Sequence, residues 1–165
     1  MVDPLPDATQ KYFDICTDKL GMIPNVLQAY AFDIEKLNAF TGLYNDVMFA
    51  ESGLSKLERE MIAVTVSSIN KCFYCLTAHG ATVRQLSGDP KLGEALVMNW
   101  RVADLDARQH AMLQFSELMT INSASISETN RDALRQVVFS DRDIWDIAAT
   151  ANFYNMTNRM ASATD

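Results

Sequence analysis

Cys72 and Cys75 are separated by two residues, His79 follows Cys75 by one helical turn, and Glu60 precedes Cys72 by twelve positions. Two thiols at this spacing on a helix can close a disulfide, and an imidazole and a carboxylate can draw a proton from sulfur. Because thiolate rather than thiol is the nucleophile, the four residues together supply an attacking sulfur, a resolving sulfur and a proton relay. If residues 72–84 are helical, Cys72, Cys75 and His79 share one face. Helix positions three apart have Cα atoms roughly 5 to 5.5 Å apart, inside the window of about 4.4 to 6.8 Å that disulfides accept. His79 reaches Cys75 more directly than Cys72. Asn70 is expected to cap this helix, which would put Cys72 in its first turn, where the helix dipole favours a thiolate. The two influences single out different sulfurs, so the residues alone leave the order of attack open.

The elements that must position this group follow from capping and periodicity. Ser55 with Glu58 makes a capping box at the start of a helix over 55–69. Its apolar residues Leu57, Met61, Ile62, Val64, Val66 and Ile69 cover most of the circumference, which predicts a buried helix. A turn near Asn70 and Lys71 would send the next helix back antiparallel. Glu60 would then lie about 16 Å before the corner and His79 about 12 Å after it, at nearly one level. A carboxylate buried among so many apolar groups needs a partner, and the thiol–imidazole cluster is the obvious one.

The rest of the chain is also patterned for helices, and we expect an all-α, single domain over 1–165. The expected helices are Asp7 to Leu20 (Tyr12, Phe13, Cys16 and Leu20 inward, Gly21 as stop), a short one from Asn25 to Tyr30, and Asp33 to Phe49 with Ile34, Leu37, Phe40, Leu43, Tyr44, Val47 and Met48 inward. Ser87 to Pro90 is a break, followed by a short helix to about Asn99. Asp104 to Thr120 turns Ala107, Ala111, Met112, Phe115, Leu118 and Met119 inward. Ser127 to Val138 and Asp141 to Ala161, the latter capped by Ser140, close the chain. Ala163-Thr164-Asp165 carries no stop signal, so a tail beyond it is expected.

With 165 residues and 48% hydrophobic content, the chain can fill a proper core. A net charge of −7 argues against nucleic acid or an anionic membrane as partner. There is no apolar run long enough for a membrane span and no basic-then-apolar start, so a cytoplasmic location is expected. In such a compartment a close cysteine pair reads as redox-active or metal-binding rather than structural. Cys, Cys, His and a carboxylate are acceptable zinc ligands, but three of them on one helix within eight residues make an awkward tetrahedral site, and no metal is expected. Cys16 reads as a buried apolar residue and His110 as a surface or packing histidine. Phe73 and Tyr74 read as aromatic packing, with shaping of a substrate mouth as the alternative. Trp145, Asn155 and Asn158 read as lining a pocket, with Asn155 and Asn158 capping or bridging helices within an oligomer as the alternative. Met22, Met48, Met61 and Met98 read as filler, and nine Met with eight Phe suit an adaptable core or an interface between copies of the chain.

Glu60, eleven residues, Cys72-Phe73-Tyr74-Cys75, three residues and His79 resembles the active-site pattern of the alkylhydroperoxidase D family, within the carboxymuconolactone decarboxylase superfamily. Gly21-Met22-Ile23-Pro24-Asn25, Leu54-Ser55 with Glu58-Arg59-Glu60, and Asn152-Phe153-Tyr154-Asn155 with Asn158-Arg159 resemble its peroxidase-related branch. The resemblance covers residues 21–161, and the decarboxylase branch lacks the cysteine pair. It implies an all-helical domain of about seven to nine helices, assembled as a homo-oligomer, that reduces a small hydroperoxide through the cysteine pair without a bound cofactor. It implies Cys75 as the attacking sulfur, Cys72 as the resolving one, and re-reduction by an external dithiol such as dihydrolipoamide on a carrier protein. A redox-sensing or disulfide-exchange protein with little peroxidase turnover is the alternative. A decarboxylase-like enzyme using His79 and Glu60 as acid and base is a third reading.

Overall fold

The computed structural model describes residues 3–164, and the secondary structure among them is helical throughout: α1 (Asp7–Leu20), α2 (Asn25–Tyr30), α3 (Ile34–Phe49), α4 (Lys56–Asn70), α5 (Phe73–Ser87), α6 (Pro90–Asn99), α7 (Ala107–Asn122), α8 (Glu128–Gln136) and α9 (Asp141–Thr164), with short 3-10 turns at Trp100–Val102 and Ser123–Ser125. No described helix is long and apolar enough to cross a membrane. Of the closing Ala163-Thr164-Asp165, Asp165 lies outside the described residues.

The chain divides into two compact units, one holding the described residues up to Asp46 with Thr164, the other running from Val47 to Ala163. In the first, α1 stops where expected: Gly21 takes the left-handed conformation (φ 74°) and its N–H bonds Thr17 O, a geometry that glycine adopts without steric cost. Phe13 and Cys16 are buried, but Leu20, expected inward, is 62% exposed because it sits on the last turn. Pro24, not Asn25, holds the capping position of α2. Asp33 caps α3 by accepting from the N–H groups of Glu35 and Lys36. Tyr30 and Phe40 stack at 4.3 Å, while Leu43 is exposed, against expectation.

In the second unit α4 is the central rod. Every residue from Glu58 to Ser67 is buried, and α5, α6 and α7 pack against it. The capping box read from Ser55 and Glu58 is present, with both hydrogen bonds made. Asp89 caps α6, with Pro90 at its first position. Helix α7 begins later than expected because Asp106 with Gln109 forms a capping box there. Its buried face accordingly includes Leu113 and Ser116, while Ala107 is exposed. Helix α8 ends at Gln136, two residues early, since Val138 turns left-handed (φ 70°). Ser140 caps α9 as expected, accepting from Asp143 N–H at 3.2 Å.

Candidate active site

The turn that ends α4 positions the site. The helix closes at Lys71, which takes the left-handed conformation (φ 59°), and its N–H reaches Ser67 O and Ser68 O. Cys72 N–H also bonds Ser67 O, at 3.0 Å. This double closure reverses the chain within two residues. Asn70 is therefore the last residue of α4 and not the cap of α5; Cys72 itself holds the capping position, in extended conformation, and Phe73 starts the helix. Cys72 thus stands at the mouth of α5 rather than inside its first turn. Its side chain takes no capping hydrogen bond.

The reversal brings α5 alongside α4, and His79 Nδ1 meets Glu60 Oε2 at 2.6 Å. The expected closeness of the two is found. Both side chains are largely buried, so the carboxylate gains the partner its apolar surroundings demand. With Glu60 Oε2 accepting from Nδ1–H, Nε2 is left as the nitrogen that can accept a proton, the tautomer of a base. The edge of the Tyr154 ring packs on His79 with centroids 4.7 Å apart, and Tyr154 OH reaches Met48 Sδ at 3.3 Å, which holds the imidazole plane from α9.

Cys72 and Cys75 are buried thiols, 4% and 6% exposed. Their side chains hydrogen-bond each other, and Asn158 and Ser67 also bond the Cys75 sulfur. Burial pushes the Cys75 thiol up, the hydrogen bond with Cys72 and any charge on Cys72 push it further, and Asn158 and Ser67 pull it down; the result is a value of about 12. At neutral pH Cys75 is therefore protonated, and its reaction requires a base. Among the described residues no three His, Cys, Asp or Glu side chains group in a way that could hold a metal ion.

The remaining candidates are distributed as follows. Cys16 is buried, and burial raises its thiol above the ordinary value. His110 is exposed and rests edge-on against Trp100 at 5.1 Å. Phe73 is 82% exposed, so the packing expected of it is not found. Trp145 is exposed with the Arg142 guanidinium 5.5 Å from its ring. Asn155 and Asn158, in contrast, bridge helices: each accepts from Asn70 Nδ2 at 3.0 Å. Met48 and Met61 are core, while Met22 and Met98 are exposed.

Sequence reading missed Ser67 and Asn70 as site residues and assigned Asn70 to the wrong helix. Ser67 carried a usable signal. It lies seven residues after Glu60, two turns along the same face of a helix that is otherwise buried and mostly apolar.

The carboxymuconolactone decarboxylase family profile matches residues 35–117. A solved peroxidase-related protein from Silicibacter sp. TM1040, itself uncharacterized, is 72% identical over 99% of this chain and 85% of that chain, with a TM-score of 0.95. An uncharacterized peroxidase-related protein from Ralstonia eutropha JMP134, described as an alkylhydroperoxidase AhpD core, is 38% identical over 96% of this chain and 84% of that one, with a TM-score of 0.92. The debrominase Bmp8 shares the fold at 21% identity, over 98% of this chain and 88% of that chain, with a TM-score of 0.80. No curated protein matches the chain. With its glutamate, cysteine pair and histidine carried by α4, the turn after it and the packed face of α5, the chain belongs to the carboxymuconolactone decarboxylase family, in its alkylhydroperoxidase D-like, peroxidase-related branch.

Proposed function

We propose that the protein is a dithiol-dependent hydroperoxide reductase. The observation that carries this reading is the hydrogen-bonded thiol pair one turn from a histidine locked to a buried carboxylate at 2.6 Å. His79, held by Glu60, takes the proton from Cys75. The Cys75 thiolate attacks the terminal oxygen of the hydroperoxide, the O–O bond breaks, and the alkoxide leaves with the proton from His79 as an alcohol. Cys75 is now a sulfenic acid. Cys72 attacks its sulfur, hydroxide leaves and is protonated to water, and the Cys72–Cys75 disulfide forms. An external dithiol, of the dihydrolipoamide kind, returns two electrons and two protons through a mixed disulfide. The sum is hydroperoxide plus dithiol giving alcohol, water and disulfide, with no bound cofactor.

The working unit in this reading is one domain over residues 1–165, which the 99% coverage by the Silicibacter relative supports. It acts in the cytoplasm as a homo-oligomer. Exposed Trp145, Met156 and Met160 recur along one face of α9, which supports association between copies.

The test is consumption of an alkyl hydroperoxide by protein present far below the substrate concentration, with reduced lipoamide as electron donor. Many turnovers per chain are expected, and none with any dithiol offered would remove the reading. A second reading, a redox-sensing or disulfide-exchange protein, draws support from the burial of both sulfurs and the raised Cys75 thiol, which slow a sulfur's reactions. It predicts one stoichiometric oxidation and no sustained consumption.

A further inference from the structure

A set of buried polar side chains at this corner takes no part in the Glu60–His79 relay. Asn158 is 1% exposed and Ser67 wholly buried. Asn70 Nδ2 donates to Asn158 Oδ1 at 3.0 Å, which occupies the carbonyl end of that amide. The amino end of Asn158 then faces the other way and donates to Ser67 Oγ at 3.0 Å. Asn70 is itself fixed, because the same Nδ2 also donates to Asn155 Oδ1 at 3.0 Å. Asn155 is fixed in turn: its Oδ1 accepts from Arg159 Nη1 at 2.8 Å, and its Nδ2 donates to Thr120 Oγ1 at 3.1 Å.

Each amide in the set therefore has one orientation, decided by its partners. Ser67, having accepted from Asn158, has its hydroxyl proton left to give. The acceptor at the end of this ordered line is the Cys75 sulfur, which takes hydrogen bonds from both Asn158 and Ser67. Donors of this kind interact weakly with a neutral thiol and strongly with a thiolate. They are held in place before any charge appears, so they need no reorganisation when it does.

We propose that Asn158 and Ser67 form an anion-holding pair for the Cys75 sulfur, with Asn70 as the positioning residue that aims Asn158. The inference rests on the redox-active reading of the cysteine pair, but its test needs no peroxide. The full-length reduced protein is treated with iodoacetamide across a pH series, and alkylation of Cys75 is followed by peptide mass spectrometry in the wild type, Ser67→Ala and Asn158→Asp.

Removing one donor to an ionised sulfur is expected to slow Cys75 alkylation about tenfold at a given pH and to move its pH profile upward. Asn158→Asp keeps the acceptor for Asn70 while deleting the donor to sulfur, and the shift is expected to be larger there. A merely structural role gives the opposite sign, since a loosened site exposes the sulfur and speeds alkylation. Unchanged or faster alkylation in Ser67→Ala overturns the proposal, and that variant, which removes a single buried oxygen, decides the matter should Asn158→Asp fail to fold. Loss of peroxide turnover with the alkylation shifts intact would instead sink the peroxidase reading and leave this one standing.

Discussion

The two ends of α4 are both lined with buried polar groups, and they solve the problem of burial in opposite ways. At the N-terminal end the buried carboxylates are met by fixed donors. Glu58 accepts from Ser55 N–H at 2.7 Å and from Arg108 Nε at 3.0 Å. Arg108 also reaches Gly53 O and Val138 O and lies 3.6 Å from the centroid of the Phe139 ring. Burial pushes the Asp143 carboxyl up, but the Ser140 N–H and hydroxyl, the Arg108 charge and the Gly53 N–H outweigh it and hold the group below its ordinary value. On the face turned to α5, the hydrogen-bonded Glu60–His79 pair leads along the helix to two buried thiols and ordered amide donors near the C-terminal end. The first corner meets its carboxylates with fixed donors and acts as a clamp, although the buried Arg59 Nε there lacks a hydrogen-bond partner. The second has donors directed at a sulfur that is neutral at rest, so its electrostatics are completed when that sulfur ionises. Elements of one helix thus divide into a part that fixes the fold and a part prepared for reaction.

Breaking the reactive end has the largest expected effect. Cys75→Ser removes the attacking sulfur, and peroxide turnover should fall to background with the fold intact by circular dichroism. Cys72→Ser should also stop turnover, yet leave one sulfenic acid per chain on Cys75, trapped with dimedone and located by mass spectrometry. A sulfenic acid found on Cys72 in the Cys75→Ser protein, at the wild-type rate, would reverse the two roles. Glu60→Gln comes next. The amide still bonds the imidazole but no longer stabilises its protonated form, and kcat should drop on the order of a hundredfold with little change in melting temperature.

Most of this division was legible in the residues. The capping box at Ser55 and Glu58, the all-round apolar pattern of α4 and the spacing of Glu60, Cys72, Cys75 and His79 are local, and local rules located them to within a residue or two. The failures have a common cause: they depend on tertiary contacts. Asn70 has the composition of a cap, but its side chain is taken by Asn155 and Asn158 from 85 and 88 residues away. Lys71 then supplies the left-handed residue that glycine or asparagine more often provides. Leu20 and Leu43 satisfy helical spacing and are nonetheless exposed, because periodicity describes a face without stating what covers it. Asn158 was read as a residue that either lines a pocket or caps or bridges helices within an oligomer; its contacts with Asn70 and Ser67 of its own chain required the fold.

The raised Cys75 thiol separates the two corners by pH. A group whose folded value lies above its unfolded one binds its proton more tightly in the folded state, so its contribution to stability is complete below the unfolded value. That contribution is lost as pH rises from the ordinary thiol value of 9.0 toward the folded value of about 12. Wild-type melting temperature should fall more steeply across this window than that of Cys75→Ser. Parallel curves would mean that Cys75 titrates as an ordinary thiol. Asp143 acts at the other extreme. Its lowered carboxyl contributes stability above the ordinary carboxylate value of 3.8, which is lost as pH falls below that value. The clamp should therefore weaken in acid, where the contribution of Cys75 is complete.

Within the clamp, Gly53→Ala should cost about 2 to 3 kcal/mol, since a Cβ there would lie 2.1 Å from Asp143 Oδ1 and must displace the carboxylate from the Gly53 N–H. The smallest expected effect has the opposite sign. Val138 is a β-branched residue at φ 70°, and its side chain is 83% exposed. Its left-handed backbone is held by its N–H bond to Arg135 O at 2.9 Å and by Arg108 Nη1, which donates to its carbonyl at 3.3 Å. An L side chain in this region costs roughly 1 to 2 kcal/mol, and glycine avoids that cost while making the unfolded chain more flexible. Val138→Gly loses almost no burial, so the balance should stabilise the protein by about 0.5 kcal/mol, read as a small rise in the urea midpoint with kcat unchanged. A fall in the midpoint would mean that the valine side chain is packed in solution, for instance against another copy of the chain. The clamp corner would then lie at an interface between subunits.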